Sequence, residues 1–276
     1  MAELQAARAQ VARQTLTRDE MSDHPSDIDD VRDFWNRAAE DWRIQVGDEG
    51  DANRRMNSDP VVWEMLGDVR GRSVLDAGCG TGYLTRQLHE RDAHAIGVDI
   101  SEEMIRIARA AYPGVDFRVD SASELRTIED GSVDLIASNY VLMDTPDLGG
   151  TMRACHRVLK PGGAAVAVFS HPCFPQGRAE RPIDHEHLTY TWDFSYFEQQ
   201  RCVDPPWAHF TSDFIGFHRP LSAYWKAFRA AGFAVEDFEE PRSPPERYAL
   251  APSPRKLANS RTRPYSVAFK LRKRGS

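Results

Sequence analysis

The sequence predicts an α/β fold, a doubly wound and mainly parallel sheet of seven strands with an aromatic-rich insertion after the fifth. Three observations predict it. Short apolar runs alternate with segments of helical periodicity from Ser73 to Phe169. Closely spaced glycines follow the first of those runs and open a helical segment. The same rhythm resumes after Arg219, beyond a stretch from His171 to Arg219 that is dense in Phe, Tyr and Trp.

Each element has a local reason. Ser73–Ala77 reads as a buried strand ended by the glycines at 78, 80 and 82, and 83–91 as a helix with Leu84 and Leu88 on one face. A second strand covers 95–98. Ser101, followed by Glu102 and Glu103, reads as an N-cap with acids in the first turn of the next helix. Strands at 115–119 and 133–137 follow. A helix over 147–159 stops at Lys160-Pro-Gly-Gly163, and 164–169 makes the fifth strand. After the insertion come a helix over 221–231 ended by Gly232 and strands at 233–238 and 265–271. The Pro-rich connection 241–254 is expected to be an exposed loop. Residues 1–30 are expected to form an N-terminal extension, helical or disordered. Residues 31–276 then make one domain, with 171–219 as a cap-like insertion on it.

Composition narrows the function classes. The formal net charge of −7 argues against a general nucleic-acid binder. Residues 255–274 carry Lys and Arg without an acid and read as a solvated face plus the last strand. The cysteines, Cys79, Cys155, Cys173 and Cys202, form no CxxC pair, which points to a reduced, cytoplasmic setting. No apolar run approaches the roughly 18 residues of a membrane span. Asp184-His-Glu-His187 raises the metal question, since alternating side chains on an extended chain share a face. It reads as a solvated loop, and no metal site is expected.

The chemistry-bearing signal is Val74-Leu-Asp-Ala-Gly-Cys-Gly-Thr-Gly82. A strand running through glycines into a helix lets the backbone approach a ligand closely. The turn departs from the dinucleotide fingerprint, because the third glycine position, counted from Gly78, holds Tyr83. Asp76 would also repel a diphosphate but suit a cationic group. Asp99 ends the second strand, where a carboxylate can accept hydrogen bonds from both hydroxyls of a ribose. Asp120-Ser121, after the third strand, places an acceptor beside a backbone N–H, as the polar edge of an adenine requires.

In this order the residues resemble the class I S-adenosylmethionine (SAM)-dependent methyltransferases. The glycine signature is matched by LDAGCGTG, the ribose acid by GVDIS, the adenine-edge position by VDSASEL and a later turn by HRVLKPGG. The resemblance covers about 31–271. It implies a Rossmann-like sheet with an antiparallel last strand, SAM as cofactor and S-adenosylhomocysteine (SAH) as product. It further implies a cofactor pocket lined by Trp42, Asp76, Gly78, Gly80, Tyr83, Asp99, Ile100, Met104, Asp120, Ser121 and Asn139. Trp42 would cover the methionine moiety, where an aromatic face attracts the sulfonium.

Methyl transfer is an in-line displacement, so the protein's part is to position the acceptor, exclude water and, for a hydroxyl, remove a proton. The acceptor is expected beyond the carboxyl ends of the fourth and fifth strands, near Asn139-Tyr140, Met143-Asp144 and His171-Pro-Cys-Phe174. His171 is the first candidate for general base, with Tyr140 and His218 as further catalytic candidates. Cys173 follows a proline, as in the cytosine-C5 nucleophile motif, but after the fifth strand instead of the fourth. The adenine-N6 motif DPPY is absent. The aromatic cap suits an apolar or planar acceptor. HRPLSAY with a later AGF resembles bacterial small-molecule methyltransferases, many of them in secondary metabolism, acting on N, O, C or S atoms. The expected partner is therefore a small-molecule acceptor, with neither nucleic acid nor membrane. An RNA methyltransferase and a non-catalytic SAM-binding regulatory protein are the alternatives. The sequence carries no signal of oligomeric state.

Overall fold

The computed structural model describes residues 25–174, 179, 180, 189, 190 and 194–275. Helix α1 (Pro25–Val46) starts inside the expected extension, with Asp27 in its first turn. Its buried stripe is Val31, Phe34 and Ala38, at helical spacing. A π-helical turn (Arg54–Ser58) and α2 (Asp59–Leu66) follow before the sheet begins.

The main sheet is built from β1 (Ser73–Ala77), β2 (His94–Asp99), β3 (Asp116–Val119), β4 (Val133–Asn139), β5 (Leu159–Ser170), β10 (Phe233–Glu239) and β11 (Ser266–Lys273). Its order is β10-β11-β5-β4-β1-β2-β3, with β11 antiparallel to both neighbours and the other pairs parallel. Helices α3 (Tyr83–His89), α4 (Glu102–Ala111), α5 (Leu148–Val158) and α6 (Leu221–Ala230) join the strands. Side chains alternate between two cores. Leu75 and Ile136 belong to one, Val74, Leu135 and Ala137 to the other. That burial on both faces is why these strands read as unbroken apolar runs.

The predicted cap of α4 forms, with Ser101 Oγ accepting from Met104 N–H at 3.0 Å. Ser101 Oγ also donates to Asn36 Oδ1 at 2.7 Å, which pins α1 against α4. Strand β5 starts at Leu159, directly after α5, so Lys160-Pro-Gly-Gly163 lies within the strand and not before it. The pairing with β4 shifts register there, and Gly162 takes φ +77°.

One expectation after β10 needs correction. The 241–254 connection holds a 3-10 helix (Pro245–Leu250), and Ser243 is buried with its hydroxyl on Asn57 Oδ1 at 2.5 Å. It is therefore packed on the π-helical turn and is not a free loop. The basic segment then forms α7 (Pro254–Thr262), capped by Ser253, which accepts from Lys256 N–H. That helix buries no residue, so it has no apolar stripe to reveal it.

Within the insertion, β6 (Ala179–Glu180) pairs with β7 (Thr189–Tyr190), and β8 (Gln200–Asp204) forms an antiparallel hairpin with β9 (Phe214–His218). Part of the aromatic set packs over α1: Phe214 meets Phe34 at 5.1 Å, and Phe210 meets Trp42 at 6.1 Å. Arg201 ties the hairpin to α1 through Asp30, at 2.8 Å. Phe197, by contrast, is 80% exposed. Trp192 and Asp184-His-Glu-His187 lie outside the described residues. Among the described residues no group of His, Cys, Asp and Glu could hold a metal ion.

Candidate active site

Sheet order reverses at β1, whose neighbours β2 and β4 lead the chain to opposite sides. A crevice opens at such a switch point, beyond the carboxyl ends of the strands. Here it spans about 940 Å³ of space, open solvent included. Among the expected cofactor residues, Trp42, Asp76, Gly78, Gly80, Tyr83, Asp99, Ile100, Met104, Ser121 and Asn139 line it.

The glycine turn is held from the second strand. Gly78 sits at φ +83°, and the N–H groups of Gly78 and Cys79 both donate to Val98 O, at 2.8 and 2.9 Å. A side chain at 78 would run into Val141, its Cβ 2.3 Å from a Val141 methyl, so the turn requires glycine there. Gly80 N–H donates to Asp99 Oδ2 and Ser101 N–H to Asp99 Oδ1, each at 2.9 Å. Asp99 thus fastens the turn to the start of α4, and each oxygen keeps lone-pair capacity toward the cleft. Burial raises its pKa, against the three backbone N–H groups that lower it.

Asp76 is buried and accepts from Thr85 Oγ1 at 2.7 Å. Burial, and after it the charge of Asp99, push its pKa up to about 7. Because the folded value lies above the ordinary one, the folded state holds this proton between roughly pH 4 and 7. The contribution of Asp76 to stability therefore falls as pH rises through that window. A bound cation reverses the preference, since it needs the carboxylate. The affinity for a ligand with an ammonium group is accordingly expected to fall below pH 7, by up to about tenfold per unit. Titrations of SAH at pH 6 and pH 8, with Asp76→Asn flattening the difference, check this.

The opposite wall comes from residues the sequence did not single out. Arg54, at 8% exposure, pairs with Asp51 at 2.9 Å and lies 5.1 Å from the Trp42 ring centre. One face of that indole is therefore already taken by a guanidinium. Tyr83 OH donates to Asp59 Oδ2 at 2.7 Å, which joins α3 to α2. Asn139 Nδ2 donates to Ser58 Oγ at 3.3 Å, while its buried Oδ1 has no partner among the described residues.

Other expected residues take different positions. Asp120 is not among the cleft-lining residues. Its Oδ2 accepts from both Thr127 N–H and Thr127 Oγ1 at 2.7 Å and closes its own loop, leaving Ser121 and Ala122 toward the cleft. His171 is not a cleft residue either. It is 3% exposed, its Nδ1 accepts from Cys173 N–H at 3.1 Å, and its Nε2 donates to Glu240 Oε1 at 2.8 Å. With both nitrogens taken up it organises the turn after β5 instead of facing a substrate, and burial lowers its pKa. His218 Nε2 donates to Tyr196 O at 2.9 Å, and the ring lies against Phe194 and Tyr196, away from the cleft lining. Tyr140 does line the cleft, with φ at +62°, a left-handed backbone that is strained for an aromatic residue. Burial raises its pKa, which keeps the phenol protonated and unsuited to act as a base.

The β4–α5 loop completes the rim. Arg219, buried at 3% exposure, donates to the carbonyls of Leu142, Thr145 and Pro146 at 3.3, 2.7 and 2.7 Å. Phe217 N–H donates to Met143 O at 2.7 Å. On this loop Asp144 faces the cleft, its pKa pushed up to about 8 by burial, with Arg219 opposing.

Comparison with known proteins agrees with this geometry. Residues 75–167 match a family model described as a methyltransferase domain. A demethylmenaquinone methyltransferase of Lactococcus lactis is 40% identical over 119 residues, 40% of this chain and 47% of that protein. A ubiquinone biosynthesis O-methyltransferase of Bordetella avium is 34% identical over 106 residues, 37% of this chain and 44% of that protein. The chain spans somewhat under half the length of these curated relatives. The crystal structure of a SAM-dependent methyltransferase from Mesorhizobium loti aligns with a TM-score of 0.66 and 28% identity, over 82% of this chain and 100% of that one. Strand order and the structural match thus define a Rossmann-like fold of the methyltransferase type. Within that fold the chain is similar to SAM-dependent methyltransferases, and residues 75–167 match the model of a methyltransferase domain.

Proposed function

We propose that the protein binds SAM in this cleft and transfers its methyl group to an N, O, C or S atom of a small molecule. The observation that carries the reading is Asp99, whose two oxygens hold the Gly80 and Ser101 N–H groups while facing the switch-point cleft. Bound SAM supplies an electrophilic methyl group on a sulfonium.

The residues present fit that ligand. Asp99 suits the ribose hydroxyls, with Ile100 beside it. Ser121 suits the adenine edge. The ammonium group suits Asp76, and the carboxylate suits Arg54, a buried cation lining the same cleft. The partnerless Oδ1 of Asn139 can accept from the amino-acid end, and the indole of Trp42 covers the same region. Gly78, Gly80, Tyr83 and Met104 shape the floor. The chain's part in the reaction is then to align the acceptor behind the methyl and to exclude water.

The names of the curated relatives support a small-molecule acceptor. Four free cysteines support a cytoplasmic setting. No described helix is long and apolar enough to cross a membrane. We read 31–276 as one domain capped by 171–219, with α1 reaching back into the extension 1–30. Incubation with methyl-labelled SAM and a panel of quinols, phenols and nitrogen heteroaromatics tests the reading. Label in an organic product together with SAH supports it. Label in added RNA alone would overturn the small-molecule assignment.

A further inference from the structure

Three carboxyl groups line the cleft, and their surroundings differ. Asp76 is bonded to Thr85, and Asp99 to Gly80 and Ser101. The Asp144 carboxyl has no hydrogen bond from any described residue, although its loop is among the most firmly held parts of the rim. The cation that acts on it, Arg219, is taken up by the carbonyls of Leu142, Thr145 and Pro146. On the outside, β9 fixes Met143 through the Phe217 N–H. A group held this rigidly, and left open toward a ligand cavity, is pre-organised for a contact the protein itself does not make.

The wall around it is apolar. Ile28, Val31 and Trp35 of α1 line the same cleft as Val141 and Pro146 of the loop. Strand β9 bridges the two, since Phe214 packs on Phe34 while Phe217 bonds Met143. We propose that Asp144 selects the methyl acceptor by accepting a hydrogen bond from its N–H or O–H group, the acceptor being a planar, apolar molecule lodged between α1 and the β4–α5 loop. This rests on the reading of the cleft as a SAM site. Burial, which makes the ionised form of Asp144 costly, adds to the selection: a partner that supplies a hydrogen relieves that cost, and one that lacks a donor leaves it in place.

Indole and 1-methylindole form a probe pair in which a methyl group replaces the donor hydrogen. Their binding to the SAH-saturated protein is measured by calorimetry at pH 9, above the value of about 8 to which burial pushes Asp144. The wild type is expected to prefer indole by at least about tenfold, as for a hydrogen bond to a charged group. Asp144→Leu removes the preference. Asp144→Asn, which keeps a carbonyl acceptor in nearly the same volume, retains a smaller one. SAH affinity and melting temperature, measured alongside, show that the variants stay folded and keep the cofactor site. Equal binding of the two indoles by the wild type, or an unchanged preference in Asp144→Leu, overturns the inference. Failure of SAH itself to bind falls instead on the underlying reading of the cleft.

Discussion

Asp99→Ala is expected to weaken binding of SAM and SAH by at least about a hundredfold, while the protein remains folded. Two effects combine. The ribose loses two hydrogen bonds to a charged acceptor, each contributing about 1.5–3 kcal/mol. The glycine turn also loses its anchor, because Gly80 N–H and Ser101 N–H have both been bonded to this one carboxylate. Asp99→Asn separates the two. The amide keeps an acceptor for one N–H but turns a donor toward the other, so it should recover only a small part of the affinity. Calorimetry on the three proteins checks this, with circular dichroism to show that the sheet persists. An Asp99→Ala variant that bound SAM as the wild type does would remove the residue from the site.

Arg219→Met is expected to be the most damaging single change to the acceptor rim. The guanidinium joins three carbonyls of the β4–α5 loop from a buried position, with Tyr224 and Asp144 as neighbours. Methionine fills much of the volume and leaves the carbonyls without a donor. The expected loss of stability is about 3–5 kcal/mol, or roughly 10 °C in melting temperature. Arg219→Lys keeps a cation but not the planar fork that spans several carbonyls, so it should fall between the two. Thermal denaturation measures the loss. SAH affinity should change far less, because the turn at Gly78 and Gly80 is tied to β2 and Asp99 and not to this loop.

Which features could be read in advance follows from how local their causes are. The strands of the main sheet are buried on both faces, so short apolar runs at 73–77 and 133–137 announce themselves. The cap at Ser101 and the acid at Asp99 lie within a few residues of the elements they serve, and both take the expected positions. Contacts made across the chain left no such trace. His171 occupies an expected strand end, yet Glu240, 69 residues away, draws its ring off the cleft. Asp120 was legible as a strand-end acid, but Thr127 takes its carboxylate. Arg54 enters the cleft because a π-helical turn places it against Trp42, and Arg219 reaches Thr145 across 74 residues. Helix α7 stayed hidden because it buries no residue. Ser253-Pro254, a cap followed by a proline in the first turn, is the signal that could have revealed it.

The measurement that tests the central claim most directly is a calorimetric titration of the purified wild-type chain with SAH and with SAM at pH 8, above the value of about 7 for Asp76. One site per chain with a dissociation constant in the micromolar range, on the order of −8 kcal/mol, is the predicted result. A well-folded protein that takes up neither compound would contradict the account.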